Sequence, residues 1–385
     1  MPTVETARNG DPLDLARLLV SIPSVNPTLA PGGAGEARMA EVTADLLGGW
    51  GFQTDTVEVE PGRWNVVGRL DGEGPTLLFN GHLDTVGVDG MTVDPFGAVV
   101  EDGRLIGRGS CDMKGGVAAL MAAGARLAAG GPRPTLVIAL TADEEHASVG
   151  MADFVGSGAQ ADMAVVCEPT SLRVMPAHKG FVWLRAVFQG RAAHGSRPDI
   201  GVDAVRHAGL YLSALDGYAA ELQGRGAHPL LGHGSFHAGT IRGGTAESVY
   251  PERCELTLER RTMPGESTPD VVADFQSVLD DVCRRHADVH ASLEMTLDRP
   301  GTDVAVESTL VQGLLDAAGA LGIESRVEGM TAWVDAAFLN EAGIPAVCFG
   351  PGSIEQAHTA DEWLDVQELH ACADVLERFA RGLVP

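Results

Sequence analysis

Residues 134–145 read PTLVIALTADEE, an unbroken apolar run that stops at Asp143, Glu144 and Glu145. A continuous apolar run this short suits a strand covered on both faces. The adjacent glutamates admit two readings. One is a solvated turn, the commoner fate of an isolated Glu-Glu pair; the other is a pair of carboxylates placed at a strand end for chemistry. Three further runs share the pattern: PTLLFNGH (75–82), ADMAVVCEPT (161–170) and IPAVCFGPGS (344–353). They end, respectively, at His82, at Glu168, and in a GPG turn that leads to His358. Between them lie stretches such as GGVAALMAAGARLAAGG (115–131), whose alanines, leucines and closing glycines predict a packed helix with a C-terminal stop. The alternation is an α/β pattern, and in open α/β sheets ligands sit beyond the carboxyl ends of the strands. Residues far apart in the chain are therefore expected to converge there.

Composition bounds the function. The 385 residues allow two or three domains, and 45% hydrophobic with 21% charged residues is ordinary for a chain with real cores. The formal charge of −26 repels nucleic acid and anionic membrane surfaces, so neither is expected as a partner. The N-terminal MPTVETARNGDPLDLARLLVSIPSV has no signal-peptide pattern, and no apolar stretch is long enough to span a membrane. Cys111, Cys167, Cys254, Cys283, Cys348 and Cys372 are dispersed without a CxxC pair, which suits buried thiols in a reducing compartment. A cytoplasmic location is expected.

From 180 to 297 the texture changes. FVWLRAVFQGRA reads as a strand, DIGVDAVRHAGLYLSAL as a helix, GSFHAGTIRGG and YPERCELTLERR as strands, STPDVVADFQSVLDDVCRRH as a helix and HASLEMTLD as a closing strand. The order βαββαβ is that of a ferredoxin-like unit. The expected organisation is a catalytic α/β domain in two parts, 1–179 and 298–385, interrupted by an inserted domain at 180–297.

The local motifs are ambiguous one by one. In GHLDTVG, His82 and Asp84 stand two apart, so on an extended segment both side chains face the same way. They are either a hydrogen-bonded turn pair or a metal-binding histidine with the carboxylate that orients it. In GRGSCDMKGG (107–116), Asp112 is either a helix N-cap or a carboxylate able to bridge two cations from a glycine-rich corner. No GxSxG elbow and no GxxxxGK[ST] loop is present, so neither a serine hydrolase nor a P-loop NTPase is supported.

Taken in order, GHLDTVG, GRGSCDMKGG, TADEE, CEPT and GPGSIEQAHTADEWL resemble the motifs of the M20 family of metallopeptidases and amidohydrolases, most closely its acetylornithine deacetylase and succinyl-diaminopimelate desuccinylase branch. The resemblance runs over almost the whole chain. It implies a zinc-peptidase-like catalytic domain with a mixed, mostly parallel sheet covered by helices, and an inserted lid and dimerisation domain. It also implies two divalent metal ions, His82 and Glu168 holding one, Glu145 and His358 the other, and Asp112 bridging. Two imidazoles and three carboxylates suit zinc, with cobalt or manganese as alternatives. Water bridging two such ions has its pKa lowered toward about 7. By the same resemblance Glu144 is the general base and Asp84 orients the first histidine ligand.

The resemblance assigns two residues of the inserted domain to substrate. His194, in QGRAAHGSRP, matches a histidine that reaches the substrate carbonyl, often from a partner subunit; Arg261, in ERRTMPGE, matches an arginine for the substrate carboxylate, ahead of Arg260. One departure concerns substrate contacts: GGTAESVYP carries Ser248 where many relatives have asparagine. His146, His178, His228, His233 and His237 match no ligand position. The expected activity is cleavage of the amide of a small N-acyl amino acid, with deacetylation of N-acetylornithine or a related compound first. A dipeptidase or carboxypeptidase and a desuccinylase are the alternatives within the family, and a non-catalytic metal-binding protein the alternative outside it. A homodimer through the inserted domain is implied as well.

Overall fold

The structure, a computed structural model, describes residues 3–384. The chain divides into two compact units. One comprises the residues up to Pro176, Val304–Glu328 and the chain from Val334; the other comprises Ala177–Asp303 and Gly329–Trp333.

The first unit is built on a mixed sheet with a parallel centre. Thr135–Thr141, Thr76–His82, Met163–Val166 and Ala346–Cys348 run parallel, in that spatial order. Arg63–Leu70 and then Gln53–Glu60 extend one side antiparallel, and Val174–His178 pairs antiparallel on the other. Every residue of Thr135–Thr141 is buried, as its unbroken apolar run requires of a strand covered on both faces. Register sets His82 beside Thr141, Asn80 beside Val166, and Val166 beside Cys348. The segments after these strands therefore leave the sheet along one edge, and the acidic turn, Cys167–Glu168 and the glycine turn at 350–352 all arise there.

The helix Lys114–Ala128 lies against this sheet and is itself packed by Pro12–Val20 and Val366–Gly382. Most of its residues are buried, so its alanines and glycines are what allow backbone to come close on several sides. A Cβ at Gly116 would collide with the Cys167 carbonyl oxygen. That close approach sets the start of the helix, and with it Asp112, against the strand end that carries Glu168.

The second unit is an antiparallel sheet in the order Ser235–Gly243, Arg253–Thr262, Gly180–Gln189, His290–Arg299. With helices Ala204–Gly224 and Thr268–Arg285, its chain order is βαββαβ. Burial alternates along Arg253–Thr262, as in a sheet with one covered face. Phe188, Tyr211, Leu256 and Phe275 belong to a core of its own. No helix among the described residues is long and apolar enough to cross a membrane.

Candidate metal centre

His82 ends its strand at the sheet edge and is 1% exposed. Its Nδ1 lies 3.0 Å from the carbonyl oxygen of Asp84 and 3.6 Å from the Asp84 carboxylate. A ring that donates Nδ1–H to this carbonyl turns Nε2 toward Asp112, where it would ligate an ion once deprotonated. Orientation of the ring falls to the backbone of Asp84. Its carboxylate does other work: it accepts the backbone N–H groups of Glu144 at 3.1 Å and Glu145 at 3.4 Å. Both contacts of Nδ1 are with Asp84, the residue expected to orient the ring, and the shorter is with its carbonyl.

Asp112 is 7% exposed and stands between both histidines, with Oδ1 3.1 Å from His82 Nε2 and Oδ2 3.3 Å from His358 Nε2. It caps no helix, since the residue flanking Lys114–Ala128 is Met113 and makes no side-chain cap bond. A buried carboxylate, Glu362, pins the loop instead. Its Oε1 accepts the N–H groups of Cys111 at 2.9 Å and Asp112 at 3.1 Å, and its Oε2 accepts from Gly109 at 3.1 Å and Arg108 at 2.6 Å. Glu362 follows His358 by four positions, so one short segment carries both a candidate ligand and the clamp for another.

The acidic turn begins at Asp143, whose φ of +68° is in the left-handed region, tolerated better by Asp than by most residues. From there Glu145 places Oε2 2.9 Å from His358 Nε2, and Glu144 places Oε2 4.0 Å from His82 Nε2. His82, Asp112 and Glu168 form one group whose potential ligand atoms all lie within 4.8 Å of each other; Asp112, Glu145 and His358 form a second. Asp112 is common to both.

The electrostatics fit a cation. Burial, then the Asp112 charge, pushes the Glu168 carboxyl up to about 8, and its Oε1 is buried without a hydrogen-bond partner. Burial likewise holds Glu144 well above the usual carboxylate range, with the charges of Glu168, Asp335 and Glu145 adding to it. Burial and the Asp112 charge raise Glu145. His358 is pushed up to about 10 by its hydrogen bonds to Asp112 and Glu145. Burial opposes charge on His82, yet the Asp112 hydrogen bond and the surrounding carboxylates carry its pKa well above the ordinary value. So many acidic oxygens in one buried place are stabilised by positive charge, and an orphaned Oε1 is what a ligand atom looks like without its ion.

His194 and Arg261 belong to the second unit. His194 is exposed, with Nδ1 2.8 Å from Ser196 Oγ. The Ser248 carbonyl accepts the N–H of Gly195 at 2.7 Å, so the departure from the asparagine pattern sits on the loop that anchors His194. Arg261 donates to the Thr331 carbonyl at 2.7 Å and lies over the Phe181 ring. Arg260 is spent internally on Tyr218 and Glu266. His178 is buried beside Lys179 in the same unit. None of His146, His178, His228, His233 and His237 enters either ligand group.

Five residues near the centre were not singled out by the sequence: Asn26, Glu36, Arg63, Glu362 and Asp335. Asp335 is buried, accepts from Thr141 Oγ1 at 3.4 Å, and has its carboxyl pushed up to about 7 by burial. It lies in TAWVDAAF, which carries no signal. Glu362 does lie within a recognised motif, and a charged residue flanked by an aromatic there was the signal available.

Comparison with known proteins bears on the centre. An acetylornithine deacetylase from Erwinia tasmaniensis is 31% identical over 378 residues, covering 94% of this chain and 95% of that one. Among solved structures, aminopeptidase PepT from Bacillus cereus superposes with a TM-score of 0.81 at 21% identity, covering 97% of this chain and 98% of that one. A dinuclear metal-binding peptidase of family M20 from Bacillus subtilis superposes with a TM-score of 0.74 at 17% identity, covering 98% and 99%. The model of peptidase family M20/M25/M40 matches residues 78–382, a span that takes in every motif from His82 to His358. The chain therefore belongs to peptidase family M20/M25/M40 and is a metal-dependent hydrolase.

Proposed function

We propose that this protein is a dinuclear amidohydrolase that cleaves small N-acyl amino acids to a carboxylate and a free amino acid, with N-acetylornithine or a related acetylated amino acid as substrate. The observation that carries the proposal is the sharing of Asp112 between two three-residue ligand groups. His82, Asp112 and Glu168 would hold one divalent ion, and Asp112, Glu145 and His358 the other. Two imidazoles and three carboxylates suit zinc, with cobalt or manganese as alternatives. Ions held there supply Lewis acidity, which lowers the pKa of water toward about 7 and polarises the scissile carbonyl.

Glu144 is the base. It is half-buried beside His82 but belongs to neither ligand group, so its carboxylate is free to take a proton from the attacking water and deliver it to the leaving nitrogen. One C–O bond forms, the C–N bond breaks, and the proton moves from water to amine through one side chain. Proton transfer through one such side chain is worth roughly 100- to 10,000-fold. His194 would donate to the substrate carbonyl oxygen, and Arg261 would pair with the substrate carboxylate, a geometry that guanidinium serves bidentately.

A homodimer through the second unit is part of the proposal. Ser235–Gly243 is an edge strand and Ile241 on it is exposed, features that pairing with a second copy would cover. Size-exclusion chromatography with light scattering is expected to give twice the chain mass. For the activity, the zinc-loaded protein is assayed against a panel of acylated amino acids and dipeptides. Release of free amino acid from N-acetylornithine or a near relative is expected. Cleavage of dipeptides alone would establish a peptidase instead, and no cleavage of any compound would overturn the hydrolase proposal.

A further inference from the structure

Beneath the acidic turn lies a buried polar cluster that neither the ligand groups nor the base use. Arg63 begins its strand with a side chain only 6% exposed. Its two edges face different ways. On one, Nε donates to Glu36 at 3.1 and 2.9 Å, and Nη2 closes the ion pair. On the other, Nη1 donates to Asp143 Oδ1 at 2.7 Å and Asn26 Oδ1 at 3.3 Å. Asn26 continues the chain: its Nδ2 donates to Asp84 Oδ2 at 2.8 Å and Asp143 Oδ1 at 2.9 Å. Asp84 in turn accepts the N–H groups of Glu144 and Glu145. Glu36 thus fixes the guanidinium plane, and the guanidinium holds Asp143 directly and Asp84 through Asn26 and an ion pair at 3.8 Å.

We propose that Arg63 is a positioning residue for hydrolysis: held by Glu36, it sets the left-handed turn at Asp143 and, through Asn26 and Asp84, the backbone from which Glu144 reaches the reacting water. The inference rests on Glu144 being the base. Its physical content is that a fixed cation binds two carboxylates, Asp84 and Asp143, that would otherwise repel each other under the turn. A displacement of about 1 Å in a catalytic group is enough to cost on the order of 100-fold in rate.

A role in balancing the Glu36 charge alone is separated from positioning by a pair of variants. Arg63→Met leaves Glu36 buried without a partner, whereas Glu36→Leu with Arg63→Met removes the Arg63–Glu36 pair from both sides and leaves only Asp143 and Asp84 without the cation. The expected result is that the double variant regains part of the thermal stability lost in Arg63→Met, the part due to Glu36, while its kcat stays about 100-fold below wild type. KM stays near the wild-type value and two ions per chain are retained. Deuterium exchange is expected to be faster than wild type in peptides covering residues 141–147 of both variants, with and without metal. If Arg63→Met does not fold, Arg63→Lys takes its place: it keeps the charge but cannot engage both edges, and the same loss of kcat and faster exchange are expected. Recovery of kcat together with stability in the double variant, or exchange at the turn unchanged from wild type, would overturn the proposal. A wild-type protein that hydrolyses nothing would instead overturn the hydrolase proposal on which this one rests.

Discussion

Glu144 and Glu145 are chemically identical neighbours with different surroundings. Glu145 meets His358 and shares a ligand group with Asp112, while Glu144 stays outside both groups. Adjacent residues point in different directions, so one turn can serve an ion and a proton at once. Glu144→Gln keeps the size and removes the base: kcat is expected to fall roughly 100- to 10,000-fold with metal content, measured by mass spectrometry, unchanged. Retained turnover would remove Glu144 from that role. A second prediction concerns His178, whose pKa burial lowers to about 4 from the ordinary 6.5. The unfolded chain takes up this proton first, so the contribution is fully present above about pH 6.5 and is lost as pH falls toward 4, on the order of 3 kcal/mol in all. Urea unfolding at pH 7 and pH 4.5 measures the difference, and His178→Gln is expected to shrink it. The ligand candidates were legible because their chemistry stands in ordered motifs. Arg63 and Glu36 were not, because they are 27 residues apart and meet only in the folded chain; Arg108 and Glu362 are 254 apart.

At the scale of elements, the site depends on how closely a helix can approach a strand end. Gly116 permits the approach, since any Cβ would strike the Cys167 carbonyl oxygen. Gly116→Ala is therefore expected to destabilise by about 1–3 kcal/mol, read by chemical denaturation, and to weaken metal retention because Cys167–Glu168 must move. The buried strands were readable as short continuous apolar runs alternating with helices, and the mostly parallel sheet was implied by the family resemblance. The inclusion of Gly329–Trp333 in the second unit was not readable. It is tied there by tertiary bonds, from Lys179 N–H to the Met330 carbonyl at 3.3 Å, from Arg261 to Thr331 at 2.7 Å and from Trp333 Nε1 to the Pro300 carbonyl at 3.2 Å, and no local pattern announces them.

For the whole molecule, a formal charge of −26 is concentrated in part where it can be used: buried carboxylates gathered at one sheet edge, each costly alone and favourable around cations. Ion binding is thereby linked to folding, and saturating metal at about 100 times its Kd adds about 2.7 kcal/mol of stability. In the proposed centre Asp112 joins two ligand groups into one dinuclear site. Zinc bound per chain, measured by mass spectrometry on protein dialysed after loading, tests it most directly when wild type is compared with Asp112→Ala. Two ions per wild-type chain and fewer than one in the variant are expected; one ion in wild type, or two in the variant, would rule out a shared Asp112 bridge.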